Sequence, residues 1–221
     1  MKFGGLQAFT MSDFPGRLAA IVFTQGCNFR CPFCHNGTLL DPAGTAADPP
    51  GESDVLEFLL NRQGKLDGLV ITGGEPTLHQ DLPDFLRQVK GMGFLVKLDT
   101  NGSNPGMLGR LLGQNLVDYI AMDLKAPWEK YTRLAGLPVE PQELEQSVAL
   151  IAGSGVDHQF RTTYVTPLLS EEDLAAIKTM VPAGSPHKVQ TFRPELARDP
   201  ALRLGMASLP DTGHPAGAAS A

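Results

Sequence analysis

The chain has 221 residues, enough for one substantial domain or two small ones. Hydrophobic residues make up 42% of it and charged residues 19%, as in globular proteins, and a net charge of −6 without a long basic run argues against a nucleic-acid partner. No signal-peptide core follows Met1, and no apolar run has the length of a membrane span. We therefore expect a cytoplasmic protein that does not associate with membranes.

The first predicted strand spans residues 18–24, after a mixed, turn-rich stretch at 1–17. Its run of Leu, Ala, Ala, Ile, Val, Phe and Thr is apolar without alternation, which is typical of a parallel strand buried on both faces. Loops that leave the carboxyl ends of such strands carry the functional residues of many α/β proteins. The next stretch of the chain leaves this strand at that end.

All three cysteines of the chain lie in that next stretch, as Cys27, Cys31 and Cys34. Structural thiols in a core would be scattered, so this C-x3-C-x2-C grouping indicates metal binding in a reducing compartment. Three thiolates can hold three irons of a [4Fe–4S] cluster, and because such a cluster normally takes four cysteines, one iron would stay open to an outside ligand. Zinc is the alternative, but it usually closes with a fourth Cys or His, and His35 is poorly placed to complete that tetrahedron.

The cysteine spacing, with the aromatic Phe33 before the last cysteine, resembles the cluster loop of radical S-adenosylmethionine (SAM) enzymes. The longer pattern from Ser12-x-Phe14-Pro15-Gly16 through residues 23–36 resembles the activating proteins of glycyl radical enzymes. Among these it is most similar to the activating protein of anaerobic (class III) ribonucleoside-triphosphate reductase. The resemblance extends to about residue 194, and it implies a [4Fe–4S] cluster on the three cysteines with SAM bound beside it.

The second predicted strand, 69–72, runs into Gly73, Gly74 and Glu75. Glycines allow backbone amides to approach a ligand closely, and a glutamate carboxylate can receive a ligand ammonium group. A plain strand-to-helix turn is the other interpretation of these residues. The resemblance implies that this segment binds the amino group of SAM.

The third predicted strand leads to Asp99 and Thr100, and the fourth leads to Asp123 and Lys125. Asp123 and Lys125 are two residues apart, so they point to the same side of an extended segment, although such a pair is usually a surface ion pair. The resemblance implies that Asp99 and Thr100 lie beside the ribose and methionine of SAM. It also implies that Asp123 and Lys125 lie near the SAM carboxylate and ribose, with a monovalent cation near Asp99 and Asp123.

The fifth predicted strand carries Arg161 on the face opposite Phe160. An exposed arginine is the ordinary interpretation, whereas a carboxylate clamp would use its bidentate geometry. An arginine at this strand is part of the resemblance, which favours a clamp on SAM. Gln190 and Phe192 on the sixth strand are candidates to border the adenine.

Six predicted strands alternate with stretches of helical spacing, at 18–24, 69–72, 94–98, 117–122, 159–165 and 188–192. This order predicts an α/β fold with a parallel sheet and right-handed crossovers, and a closed eight-unit barrel would need more residues. The resemblance implies a partial (β/α)6 barrel that is open on one side. We expect residues 1–194 to form the core domain and residues 195–221 to form a partly disordered C-terminal extension.

The function implied by the resemblance is reductive cleavage of SAM, followed by removal of a hydrogen atom from a glycine of a partner enzyme. The implied partners are anaerobic ribonucleoside-triphosphate reductase and a flavodoxin- or ferredoxin-type electron donor. No side chain of this chain has to act as a catalytic acid or base. Two alternatives remain: a radical SAM enzyme for a small molecule, as in deazapurine synthesis, and a zinc-binding interaction protein without catalysis.

Overall fold

Seven strands form one continuous sheet in the computed structural model, which describes residues 1–44 and 48–204. The strands are β1 (Phe3–Thr10), β2 (Ala19–Thr24), β3 (Gly68–Gly73), β4 (Leu95–Thr100), β5 (Tyr119–Asp123), β6 (Asp157–Tyr164) and β7 (His187–Thr191). Strands β2 to β7 are parallel and follow chain order across the sheet. β1 and β7 are its two edges, so the sheet is open, and the predicted α/β fold with an open parallel sheet is confirmed.

All but the last of the helices lie between successive parallel strands and cover one face of the sheet, and the short last helix follows β7. The helices are α1 (Glu52–Leu60), α2 (Leu82–Gly91), α3 (Pro105–Gly113), α4 (Trp128–Ala135), α5 (Pro141–Gly153), α6 (Glu171–Met180) and α7 (Pro200–Arg203). Short 3₁₀ turns span Gly37–Leu39, Pro76–Leu78 and Pro194–Leu196. No helix among the described residues is long and apolar enough to cross a membrane.

Strand β1 lies within residues 1–17, which were predicted to be mixed and turn-rich, with no strand among them. It pairs antiparallel with β2 and extends the sheet beyond the six predicted strands. A Gly-Gly pair such as Gly4-Gly5 usually indicates a turn, but here both glycines lie within the strand. A Cβ at Gly4 would overlap the side chain of Leu39. The glycine therefore lets another segment pack closely on the strand, which is one of the few uses of glycine within a strand.

The two faces of the sheet have different surroundings. One face packs against the helices through the main core, which includes Val22, Ile71, Leu98, Ile120 and Phe160. On the other face, Phe14 covers the amino-terminal half of the strands in a second apolar cluster with Ala19, Ile21 and Val70. Apart from Phe23 on β2, the carboxyl-terminal half of that second face carries mainly polar and charged side chains.

Residues 195–204, the first part of the predicted C-terminal extension, pack against the core. Ala197 is fully buried, and Leu202 is 2% exposed within the main core. The rest of the predicted extension, residues 205–221, lies outside the described residues.

Candidate functional site

A cavity of about 430 Å³ lies at the carboxyl ends of the parallel strands. Its volume falls in the usual range for small-molecule and cofactor sites. The residues predicted to hold the cluster and SAM all line it: Cys27, Cys31, Phe33, Cys34, Gly73, Gly74, Glu75, Asp99, Thr100, Asp123, Lys125 and Arg161. Gln190 also lines the cavity, whereas Phe192 stacks on His35 with ring centroids 6.1 Å apart.

The three cysteines are free thiols in this arrangement. Burial raises the pKa of Cys27 to about 11 and that of Cys31 to about 12, so both are protonated at neutral pH until a metal displaces the proton. No three His, Cys, Asp or Glu side chains within residues 1–44 and 48–204 are grouped as ligands of one ion. A cubane distributes its cysteines over different irons, so the thiol donors and their shared cavity fit a [4Fe–4S] cluster.

Backbone hydrogen bonds fix the start and the middle of the cysteine loop, residues 24–36. The amide of Gly26 donates to the carbonyl oxygen of Leu39 at 2.7 Å, and the amide of Cys27 donates to Leu40 at 3.2 Å. Farther along, the amide of Arg30 donates to the carbonyl oxygen of Ala135 at 2.6 Å, at the end of α4. Helix α4 was not predicted, and it thus supports the loop from outside the cavity.

An asparagine pair joins the cysteine loop to the loop after β4. Asn101 Nδ2 donates to Asn28 Oδ1 at 2.9 Å, and Asn28 Nδ2 donates to Ser103 Oγ at 2.8 Å. Asn101 is only 6% exposed. Asn101 did not stand out as a site residue in the sequence, because an Asn-Gly sequence usually marks a solvated turn.

The Gly73-Gly74 turn brings β3 against the start of the cysteine loop. Gly73 has φ +114°, and a Cβ at Gly74 would overlap the carbonyl oxygen of Gly26. The following amide, that of Glu75, donates to the same Gly26 oxygen at 2.8 Å. These glycines are therefore required for the close approach of two backbones, whether or not they also face a ligand.

The carboxylate of Glu75 is 1% exposed and already has protein donors. Its Oε1 accepts from the amide and hydroxyl of Thr77 and from the Thr100 hydroxyl, and its Oε2 accepts from the Asn101 amide at 2.6 Å. Burial raises the pKa of this carboxyl, although the four hydrogen bonds act in the opposite direction. Glu75 thus ties the β3 turn to the end of β4, and its binding of a ligand ammonium stays a prediction.

A row of alternating charges crosses β4, β5 and β6 on the open face of the sheet, which is the face that the helices do not cover. Arg161 Nη1 lies 3.1 Å from Asp99 Oδ2, and Arg161 Nε lies 2.8 Å from Asp123 Oδ1. Lys97 pairs with Asp99 at one end, and Lys125 Nζ lies 3.1 Å from Asp123 Oδ2 at the other. Three cations therefore face two carboxylates, and the excess positive charge suits an anionic ligand group.

Burial alone would raise the pKa of Asp123, but Arg161 and Lys125 hold it well below its usual range. Burial would likewise lower the pKa of Lys125, and the Asp123 carboxylate keeps it raised instead. All three side chains are therefore charged at neutral pH. The monovalent cation expected near Asp99 and Asp123 stays a prediction. Both carboxylates already have basic partners, which leaves less negative charge to attract a cation.

Lys97 is a member of this row that the sequence did not single out. It is 1% exposed and belongs to a strand whose neighbouring residues are apolar. The sequence did offer one signal: Lys97 and Asp99 are two residues apart, and alternate residues of a strand face the same side.

Sequence comparison identifies relatives of this chain. A family model described as the radical SAM superfamily matches residues 21–181. A protein of Methanocaldococcus jannaschii with the provisional name glycyl-radical enzyme activating enzyme is 31% identical over 200 residues, which cover 88% of this chain and 81% of that protein. The 7-carboxy-7-deazaguanine synthase of Hyperthermus butylicus is 28% identical over 178 residues, covering 72% of each chain.

Structure comparison agrees on the fold. The crystal structure of Streptococcus suis SuiB bound to its precursor peptide SuiA matches with a TM-score of 0.63 at 16% sequence identity. The match covers 78% of this chain and 38% of SuiB, so this chain spans about two fifths of that protein.

Proposed function

This chain belongs to the radical SAM superfamily, and from that membership we propose that it activates a glycyl radical enzyme. The observation that carries the proposal is the convergence of three free cysteines and an alternating charge row on one cavity. The provisional name of the Methanocaldococcus relative supports the same reaction class.

In the proposed site, Cys27, Cys31 and Cys34 would hold the [4Fe–4S] cluster, and the remaining iron would take SAM. When bound, the cluster would supply the one-electron chemistry for reductive cleavage of SAM. The chain itself supplies position and charge. Lys125 and Arg161 line the cavity, and their positive charge would suit a SAM carboxylate, while Asp99 and Thr100 of the same cavity would lie beside its ribose and methionine.

Water exclusion comes from the loop and the sheet. Phe33 is 5% exposed, Cys31 is 6% exposed, and the amino-terminal half of the open face is closed by Phe14.

The sheet ends at β1 on one side and β7 on the other. An open sheet of this kind leaves an entrance through which a segment of another protein can reach the cavity.

We propose anaerobic ribonucleoside-triphosphate reductase as the partner, with a flavodoxin- or ferredoxin-type protein as electron donor. The test starts with anaerobic reconstitution and iron and sulfide analysis. Incubation with SAM and dithionite should then yield 5′-deoxyadenosine. Adding a reductase of this class should produce a glycyl doublet in the EPR spectrum, and Cys34→Ala is the matched control that should give neither product.

Each failure in this series has a separate meaning. Zinc uptake without iron–sulfur absorbance would refute the enzyme proposal. SAM cleavage without a glycyl doublet on any glycyl radical enzyme would refute the activase proposal and leave the superfamily chemistry standing.

A small-molecule reaction is the second candidate, because the Hyperthermus synthase aligns over 72% of this chain. The same reconstituted protein should then be assayed on the substrate of that synthase. Formation of 7-carboxy-7-deazaguanine, detected by mass spectrometry, would favour the second candidate over the first.

A further inference from the structure

The C-terminal strap, residues 192–204, returns to the outer side of the cysteine loop. Arg198 Nη2 donates to the carbonyl oxygen of Arg30 at 2.7 Å, and Arg198 Nε donates to that of Cys31 at 3.3 Å. The amide of Asp199 donates to the carbonyl oxygen of Pro32 at 2.9 Å. Two consecutive strap residues thus bind three consecutive carbonyl groups in the middle of the loop.

The stem of the Arg198 side chain also reaches the end of the loop. A Cβ at Gly37 would lie 3.3 Å from Arg198 Cγ and 3.6 Å from its Cβ, so the arginine packs directly on that glycine. A single side chain therefore spans the loop from Arg30 to the start of the 3₁₀ turn at Gly37. The Arg198 guanidinium need not be buried to make these contacts, because an arginine can pack its aliphatic stem on the protein while its charged end stays near water.

The strap is itself held on the body of the protein. Ala197 is fully buried and Leu202 enters the same core as Cys31 and Phe33. The carboxylate of Asp199 accepts from the amide of Ala201 at 2.9 Å and so starts the short helix α7. Arg198 consequently extends from an anchored backbone.

The direction of these contacts separates two sides of the loop. The carbonyl group of Cys31 faces the strap, while the cysteine itself lines the cavity. Ligands of a metal group are positioned by the hydrogen bonds behind them, and loss of such support weakens metal binding. Without donors from the strap, the carbonyl groups of Arg30 and Pro32 would lose these partners, and that of Cys31 would keep only the amide of Cys34 at 3.2 Å. The loop backbone, and the thiols attached to it, would then be less restrained.

We propose that Arg198 is a positioning residue that keeps the cysteine loop in the conformation that accepts its metal group. The identity of that group rests on the proposed function, but the ordering of the loop does not. Arg198 touches neither the cavity nor the thiols, so its effect passes through the backbone of residues 30–32.

The test compares Arg198→Ala and Arg198→Lys with Arg110→Ala, which removes an exposed arginine on α3. In metal-free protein, Arg198→Ala should speed amide hydrogen exchange within residues 27–36 by about tenfold, as expected for two ordinary hydrogen bonds. Exchange in α3 should not change. Arg198→Lys should behave like the alanine variant, because an ammonium group cannot bind two adjacent carbonyl groups as a guanidinium does.

A second measurement follows the reconstituted protein. Loss of iron–sulfur absorbance in the presence of a chelator should be about tenfold faster in Arg198→Ala than in Arg110→Ala. Equal exchange within residues 27–36, or equal rates of iron loss, would overturn the proposal, and so would faster exchange spread evenly over α3 and the loop. If wild type takes up no iron but the loop exchange still rises, the positioning role stands and the proposed function fails.

Discussion

Asp123 and Arg161 are register partners on the parallel strands β5 and β6, and Arg161 Nε lies 2.8 Å from Asp123 Oδ1. The sheet itself thus builds this ion pair at the floor of the cavity. Asp123 also has Lys125, and Arg161 also has Asp99, so each member keeps a partner when the other is removed.

Replacing Arg161 should therefore affect ligand binding more than folding. In Arg161→Met, Lys97 and Lys125 still neutralise the two carboxylates, while the bidentate donor proposed for the SAM carboxylate is gone. We expect SAM affinity to fall at least tenfold with the iron content unchanged, measured by calorimetry on the reconstituted protein. The exposed Arg87 supplies the control variant Arg87→Met, and equal affinity in the two variants would remove Arg161 from the binding site.

Asp99 and Lys97 should respond unequally to substitution. Asp99→Asn leaves the Lys97 ammonium buried without its carboxylate, which costs about 3–5 kcal/mol for a broken buried pair. Lys97→Met leaves Asp99 paired with Arg161 and should cost much less. Urea unfolding of the metal-free variants measures both, and a larger loss for Lys97→Met would show that the lysine stabilises the fold in some other way.

Gly74 should not tolerate a side chain. A Cβ there overlaps the carbonyl oxygen of Gly26, so Gly74→Ala must push the β3 turn away from the cysteine loop, at about 1–3 kcal/mol. Gly109 within α3 is the matched control, because a Cβ there meets nothing within 4 Å. Gly109→Ala should stabilise by about 0.5–1 kcal/mol, and the comparison uses thermal unfolding together with iron content.

The three cysteines should be equally necessary for SAM cleavage but unequal for folding. Cys27→Ala, Cys31→Ala and Cys34→Ala should each abolish formation of 5′-deoxyadenosine, since each would remove the ligand of one iron. Cys31 is 6% exposed in the core, whereas Cys34 is half-buried, so only the Cys31 variant should lose measurable stability without metal. SAM cleavage retained by any one variant would exclude that cysteine from the cluster.

The Asp123 ion pairs should weaken only in acid. The pKa of Asp123 in the folded protein lies below its ordinary value of 3.8, because Arg161 and Lys125 outweigh the effect of burial. Its stabilisation is thus complete above the unfolded pKa and is lost as pH falls through the folded one. The difference in unfolding free energy between wild type and Asp123→Asn should be constant from pH 5 to 8 and shrink below about pH 4. A difference that changes near pH 6 would point to another titrating group.

Apolar runs predicted β2 and β3 well, because a strand that is buried on both faces carries little other than apolar residues, as at 18–24 and 69–72. β1 was missed for the opposite reason: it is an edge strand with two adjacent glycines and few large side chains. Helix α4 was also missed, although Pro127 before it and Gly136 after it, with φ +73°, are ordinary start and stop signals.

The sequence placed the site residues at the correct strand ends but could not assign their partners. Glu75 looked available to a ligand, and only the fold shows that Thr77, Thr100 and Asn101 already occupy its carboxylate. Arg198 could not be linked to the cysteine loop from the sequence, because its partners are backbone carbonyl groups 167 and 168 residues earlier in the chain. Every residue has a backbone carbonyl group, so the residue types in a sequence do not reveal which carbonyl groups accept a hydrogen bond from a side chain.

The buried Glu75 carboxylate has a consequence for the energetics of cofactor binding. A pocket made from separate loops usually loses conformational entropy when its ligand orders them, and that loss lowers affinity. Here the Glu75 amide holds Gly26 at the start of the cysteine loop while its carboxylate holds the end of β4. The entropy of these loops is thus lost when the chain folds, and the pocket meets its cofactors already preorganised.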